Sequence, residues 1–166
     1  MLSSYIDGTA IYGIGSTINT EIRSFSGGML LTSVGLGPAN TSSILPQQTL
    51  TQRTYLPLSN DTCSTSTTPP LYRCFKAGEY RTSENLGLVG MQTLFNREHN
   101  RIAAQLALFN PKWSDEVLFQ ETRRIIVAIL QHITFNEFVP MLTGNNTLKP
   151  SSSNAYYTGY DSTVNF

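Results

Sequence analysis

Arg81 and Glu84 stand three residues apart, directly before a segment of helical periodicity. Two readings compete. An arginine and a glutamate at i and i+3 form an ordinary ion pair at a helix start, worth roughly 0.2–0.5 kcal/mol. By spacing alone that is the commoner outcome. The chemical reading uses the guanidinium, which stays protonated at any working pH. A fixed cation stabilises negative charge developing on a departing oxygen, such as the one released when the O–O bond of a peroxide breaks. A second constellation, Ser3, Tyr5, Asp7 and Thr9, alternates through one short segment. It offers hydroxyl, carbonyl and carboxylate oxygens, the hard donors that calcium prefers. The same alternation is the polar face of a strand. One carboxylate is few for calcium, so spacing alone favours the strand.

Cys63 and Cys74 are the only cysteines, and they bracket a loop rich in Ser, Thr and Pro. Two cysteines this close suit a local disulfide better than a metal site, which needs more ligands. Asn40, Asn60 and Asn145 each begin an Asn-x-Ser/Thr glycosylation acceptor, and all three fall in expected loops. Together these features point to an oxidising, secreted or extracellular setting.

The elements that must position these groups fall into two regimes. Residues 1–80 are rich in Ser, Thr, Gly and Pro, with little helical periodicity. Mostly irregular structure is expected there, with brief strands such as Met29-Leu30-Leu31. Residues 86–142 read as helical. Leu88, Met91, Leu94, Phe95, Ile102 and Leu106 form the expected buried stripe of a first helix, ended by Asn110-Pro111. Ser114 caps a second helix with Asp115 and Glu116 in its first turn. Its expected stripe is Leu118, Ile125, Ile126, Ile129 and Ile133, and Pro140 and Gly144 are expected to close it. The short link favours an antiparallel pair. Two helices and a long irregular half make an uncomfortable domain unless that half packs on a partner.

Composition narrows the function. The 166 residues hold 11 Lys and Arg against 11 Asp and Glu, and only 13% are charged, which argues against nucleic acid as a partner. No uninterrupted apolar run approaches membrane-spanning length, the longest being Ile125 to Leu130, so no membrane segment is expected. Met1-Leu2-Ser3-Ser4-Tyr5 lacks the basic start and apolar stretch of an export signal, which is then expected upstream.

Taken in order, several blocks resemble the animal heme peroxidases of the peroxidasin, thyroid peroxidase and myeloperoxidase group. They are Ser4 to Gly13, Arg23-Ser24-Phe25-Ser26-Gly27-Gly28, the Cys63 and Cys74 pair, Arg81 to Asn100, Leu108 to Glu116, and Gln131 to Pro140. The resemblance implies a mainly α fold, with residues 1–166 forming part of the peroxidase domain: two long helices plus an extended irregular N-terminal half. It implies heme and calcium as cofactors, and hydrogen peroxide with a small reducing donor (halide, phenol or tyrosine) as substrates. Arg81 becomes the distal arginine. Glu84 becomes the carboxylate that bonds a heme methyl in many members. Asn85 stands where myeloperoxidase has a methionine, so no sulfonium link is expected. Ser3, Asp7 and Thr9, with the Tyr5 backbone carbonyl, become calcium ligands, completed by an upstream aspartate. Gln92 and Asn96 depart from the pattern and receive little weight. His99 and His132, the only histidines, match structural positions and are expected to be buried or capped, although heme iron commonly takes histidine. The distal histidine is expected before residue 1 and the proximal ligand after Phe166. The 166 residues alone are therefore expected to be inactive. Rival readings are a non-catalytic extracellular matrix or adhesion module that kept the fold, and a peroxidase-like domain of an oxidase or a cyclooxygenase relative.

Overall fold

The computed structural model describes residues 3, 5–34, 54–62 and 73–144. The N-terminal half holds two short helices, α1 (Thr9–Tyr12) and α2 (Ser16–Ile22), which its composition does not announce. Among the described residues four short strands follow: β1 (Ser33–Val34), β2 (Thr54–Tyr55), β3 (Leu58–Thr62) and β4 (Arg73–Phe75). β1 pairs antiparallel with β2, placing Ser33 opposite Tyr55. β3 pairs antiparallel with β4, from Leu58 opposite Phe75 to Thr62 opposite Arg73, with a register shift between. Met29-Leu30-Leu31 is not a strand, since only one bridge, between Arg23 and Leu30, forms there. Asn60 lies on β3 rather than in a loop. Asn40, Asn145 and Cys63 lie outside the described residues.

The long helices form as their caps direct. Asn85 caps α3 (Leu86–Phe109) by accepting from the Leu88 N–H at 2.9 Å. Ser114 caps α4 (Asp115–Ile133), accepting from Val117 N–H at 3.4 Å. Residues 110–114 link them, and α4 packs on α3. Pro140 does not end the second helix. The chain continues through a π-helical stretch, Thr134–Phe138, into α5 (Val139–Thr143), with Pro140 in its first turn, and stops at Gly144. A proline gives the helix ladder no N–H and crowds the carbonyl four residues back. The wider π turn just before it accommodates both effects. By length and composition, Asp115–Thr143 (29 residues) could cross a membrane, with 6% of its most apolar window buried, so apolar character here exceeds the sequence expectation. Its first half nevertheless anchors a protein core through Leu118, Phe119, Thr122 and Ile126.

The core joins both halves of the chain. Ile11, Tyr12, Ile22 and Leu30 pack with Ile102, Phe119 and Ile126, and Phe95, Leu106, Ile129 and Leu130 lie against them. The irregular half thus finds its partner in the two helices. The buried stripes differ from the expected ones. Met91 and Leu94 are more than half exposed, and Ile125 and Ile133 are also exposed. The inward face of α3 is instead Gln92, Thr93, Asn96, His99, Ile102 and Ala103. A polar face is buried because irregular backbone must be satisfied somewhere. The Asn100 side chain accepts from Leu30 N–H at 2.7 Å and donates to Leu30 O at 3.0 Å. Asn96 donates to Leu31 O at 3.3 Å. His99 reaches Gly28 O at 2.9 Å. The α3 side chains thus supply the pairing that a neighbouring strand would give elsewhere.

Candidate functional site

Arg81 sits in a 3₁₀ turn, Tyr80–Ser83, wedged between β4 and α3. The turn is tied at both ends. Thr82 Oγ1, fully buried, donates to Glu79 O at 2.6 Å. Ser83 Oγ accepts from Phe75 N–H at 2.8 Å, fixing the turn to β4. Gly78, just upstream, presses its backbone on α1. A Cβ there would fall on the Gly13 nitrogen and the Thr9 carbonyl oxygen, so only glycine permits the approach.

The expected ion pair between Arg81 and Glu84 does not form. Arg81 instead donates through Nε and Nη2 to Glu79 Oε2, at 3.0 and 2.7 Å. The turn points Glu79 inward and Glu84 outward, so the carboxylate two residues before the arginine wins over the one three residues after it. The Glu79 side chain is 6% exposed and that of Arg81 44%. The hydrogen bond to Glu79 pushes the guanidinium pKa further up. Gln92 Nε2 donates to the second Glu79 oxygen at 3.1 Å. The Glu84 carboxylate is exposed, with no hydrogen-bond or salt-bridge partner among the described residues, while its backbone N–H donates to Arg81 O at 2.9 Å. Sequence reasoning missed Glu79 and gave Gln92 little weight. The available signal was a glutamine nearly two turns into a helix, thirteen residues after a carboxylate.

After this turn, α3 presents Leu86, Met91 and Leu94 outward, at 89%, 55% and 56% exposure. An exposed apolar face, a cation and an unpaired carboxylate within one loop–helix junction suit a flat apolar group with charged edges. The residues present therefore fit heme.

The second constellation is partly assembled. Ser3, Asp7 and Thr9 line one cavity of about 430 Å³ together with Asn19 and Arg123. Thr9 opens α1, so the alternation is not a strand face. Tyr5 does not line the cavity. Asp7 Oδ1 accepts from Thr9 N–H at 3.2 Å, and Ser3 Oγ from Tyr5 N–H at 3.0 Å. The oxygen donors suit calcium, but one carboxylate beside the Arg123 cation does not complete a calcium shell. No cluster of His, Cys, Asp and Glu that could hold a metal occurs among the described residues.

His99 is not arranged as an iron ligand. His99 is fully buried, with Nδ1 2.8 Å from Tyr12 Oη and Nε2 2.9 Å from Gly28 O. A carbonyl only accepts, so Nε2 carries the proton and Nδ1 accepts from the tyrosine hydroxyl. Burial drives the His99 pKa down to about 4, against the pull of the Gly28 carbonyl and with the help of the Arg23 cation. Burial likewise pushes the Tyr12 hydroxyl far above its ordinary value. Phe119 completes the cluster, 5.4 Å from His99 and 5.9 Å from Tyr12 between centroids. Arg23 lies 4.0 Å over Phe119 and pairs with Asp115, at 2.8 Å, and with Glu116. His132 is partnered rather than buried. It is exposed in the last turn of α4, with Nδ1 3.1 Å from Asn136 Nδ2.

Comparison with known proteins shows the family of the chain. The family model described as animal haem peroxidase matches residues 1–166. Chorion peroxidase of Drosophila melanogaster is 34% identical over 164 residues, covering 99% of this chain and 18% of that protein. Peroxinectin A of Dictyostelium discoideum is 38% identical, covering 99% of this chain and 27% of its own length. The chain thus spans about a quarter or less of these relatives. Among solved structures, peroxidase A of Dictyostelium discoideum superposes with a TM-score of 0.63 at 35% identity, over 96% of this chain and 27% of that one. By its sequence and its mainly helical fold, the chain belongs to the animal haem peroxidase family.

Proposed function

We propose that this chain supplies the arginine side of a heme-dependent peroxidase that reduces hydrogen peroxide and oxidises a small donor, a halide, phenol or tyrosine. One observation carries the reading. The Arg81 guanidinium is held by Glu79 while its Nη1 has no hydrogen-bond partner among the described residues. Bound heme would supply the iron at which peroxide is reduced. Arg81 would hold the peroxide by a hydrogen bond and stabilise charge on the departing oxygen. Glu84, exposed and unpaired, is the carboxylate available to bond the heme periphery. Leu86, Met91 and Leu94 would lose water on contact with an apolar ring face. Ser3, Asp7, Thr9 and the Tyr5 carbonyl would form part of a calcium shell that needs further carboxylate. The Cys63 and Cys74 pair, as a disulfide, and glycosylation at Asn40, Asn60 and Asn145 suit a secreted protein.

The test uses the heme-loaded protein that contains this chain. Arg81→Ala should slow the reaction with peroxide about 100- to 1,000-fold in stopped flow. Glu84→Gln should keep most of that rate but release heme, or one of its links, into acidic solvent. Should Arg81→Ala react with peroxide at the wild-type rate, Arg81 is a surface cation and the reading fails.

A further inference from the structure

We propose that Glu79 is the positioning residue for Arg81, and that Gln92 holds Glu79 in turn. This rests on the role proposed for Arg81. The asymmetry of burial carries the argument. Glu79 is 6% exposed in its side chain, Arg81 44%. An arginine at that exposure has a long, freely rotating side chain and would sweep a wide volume. Its Nε and Nη2 both close on Glu79 Oε2, which fixes the plane of the guanidinium and leaves Nη1 on the outer edge. Glu79 cannot follow if Arg81 swings. Its other oxygen takes the Gln92 amide at 3.1 Å, and its backbone carbonyl takes Thr82 Oγ1 at 2.6 Å. A carboxylate accepts only, so the Gln92 NH₂ must face it, and Gln92 Oε1 is left without a partner among the described residues. Burying an unsatisfied amide oxygen is costly. That cost is borne where a single contact, to Glu79, is kept.

Two effects of removing Glu79 oppose each other. Its negative charge offsets the guanidinium field, so losing it would strengthen that field on a bound peroxide. The same loss frees Arg81 to move. Charge effects at a half-exposed group are screened by solvent. Misplacing a catalytic group by about 1 Å costs roughly 100-fold. Ordering therefore wins, and the variant should be slower.

The test is a double-mutant cycle in the heme-loaded protein. Glu79→Ala should lower the peroxide rate constant roughly 10- to 100-fold, leaving the rate of donor oxidation unchanged. Glu79→Gln keeps an acceptor for Arg81 and should recover part of the loss. On an Arg81→Ala background, Glu79→Ala should have no further effect, because Glu79 acts only through the arginine. A simple loss of folding would slow both backgrounds alike. A wild-type peroxide rate in Glu79→Ala overturns the proposal, as does a full additional loss on the Arg81→Ala background. If Glu79→Ala does not hold heme, Glu79→Gln carries the decision, with a slowing of roughly threefold or more expected from losing the charge-assisted bond and a wild-type rate overturning the proposal. If Arg81→Ala itself reacts normally, it is the function of Arg81 that fails, and the two failures are told apart.

Discussion

Acidification should unfold this protein through His99 before its carboxylates titrate. The neutral ring is fully buried, donates from Nε2 to Gly28 O and accepts at Nδ1 from Tyr12. A proton on Nδ1 would turn the tyrosine hydroxyl from donor to acceptor and place a cation near Arg23. The folded pKa is depressed from 6.5 to about 4, so the unfolded chain binds the proton more tightly. Stability is therefore complete above pH 6.5 and falls as pH drops toward 4. Each tenfold difference in proton affinity is worth about 1.4 kcal/mol, which makes the loss about 2 kcal/mol at pH 5 and about 3 kcal/mol at pH 4. Glu98 and Glu116 have carboxyl groups held below their ordinary value by Arg101 and by Gln120 with Arg23, and they lose their contribution only at lower pH. The assay is urea unfolding of the chain at several pH values, followed by fluorescence of Trp113, its single tryptophan. His99→Phe should flatten the pH dependence between 4 and 6.5. It should also cost about 2 kcal/mol at neutral pH, since Gly28 O and the Tyr12 hydroxyl lose their partner. An identical pH slope in wild type and His99→Phe, or a His99 ring that titrates near 6.5 by NMR, would refute the reasoning.

Gly78→Ala should cost at least about 3 kcal/mol, because its Cβ would meet backbone of Thr9 and Gly13 that cannot move away. Gly90→Ala, with nothing within 4 Å, should instead stabilise α3 by about 0.5–1 kcal/mol, and thermal unfolding of both variants checks the contrast. Asp115→Ala should cost roughly 2–4 kcal/mol in urea unfolding, since it strips a partner from Arg23 and orphans the Gly28 N–H, which it binds at 2.6 Å. Non-reducing peptide mass spectrometry should find Cys63 joined to Cys74, a link worth about 3 kcal/mol; two free thiols in secreted material would count against it.

The two long helices and the Ser114 cap were legible because each rests on residue type at local spacing, and the family through the resemblance of ordered blocks along the chain. Ser114 and Asn110 mark helix ends wherever the chain folds, whereas the Asn85 cap of α3 was not read. Arg81 was legible for the same reason, as a cation in a recognisable run. Its partner was not. Helical spacing points from Arg81 to Glu84, but a 3₁₀ turn follows extended backbone at Glu79, and there a side chain two residues back folds onto the arginine. The inward face of α3 was misread because apolar periodicity assumes an apolar core. Here Gln92, Asn96 and His99 carry the period: Asn96 and His99 satisfy backbone carbonyls, and Gln92 holds the Glu79 carboxylate. That stripe could have been found by asking which polar residues repeat at three- and four-residue steps. The short helices α1 and α2 had no local signal at all. Their residues Ile11, Tyr12 and Ile22 are ordered by α3 and α4, from far along the chain.

That distance has a consequence during synthesis. The contacts that close the core run between residues 70 to 93 positions apart: Leu30 to Asn100, Tyr12 to His99, Arg23 to Glu116. A ribosome adds roughly 5–20 residues per second. Arg23 therefore waits on the order of 5–18 seconds for Asp115, 92 residues later, to be made. Through that interval the N-terminal half lacks the α3 and α4 side chains that Ile11, Tyr12, Ile22 and Leu30 pack against, and Leu30 lacks the Asn100 amide that pairs its backbone. It is born as the dependent half of the core, held open until α3 and α4 appear. A nascent chain stalled before α4 should accordingly be bound by chaperones that recognise exposed apolar segments, and one released after α5 should shed them.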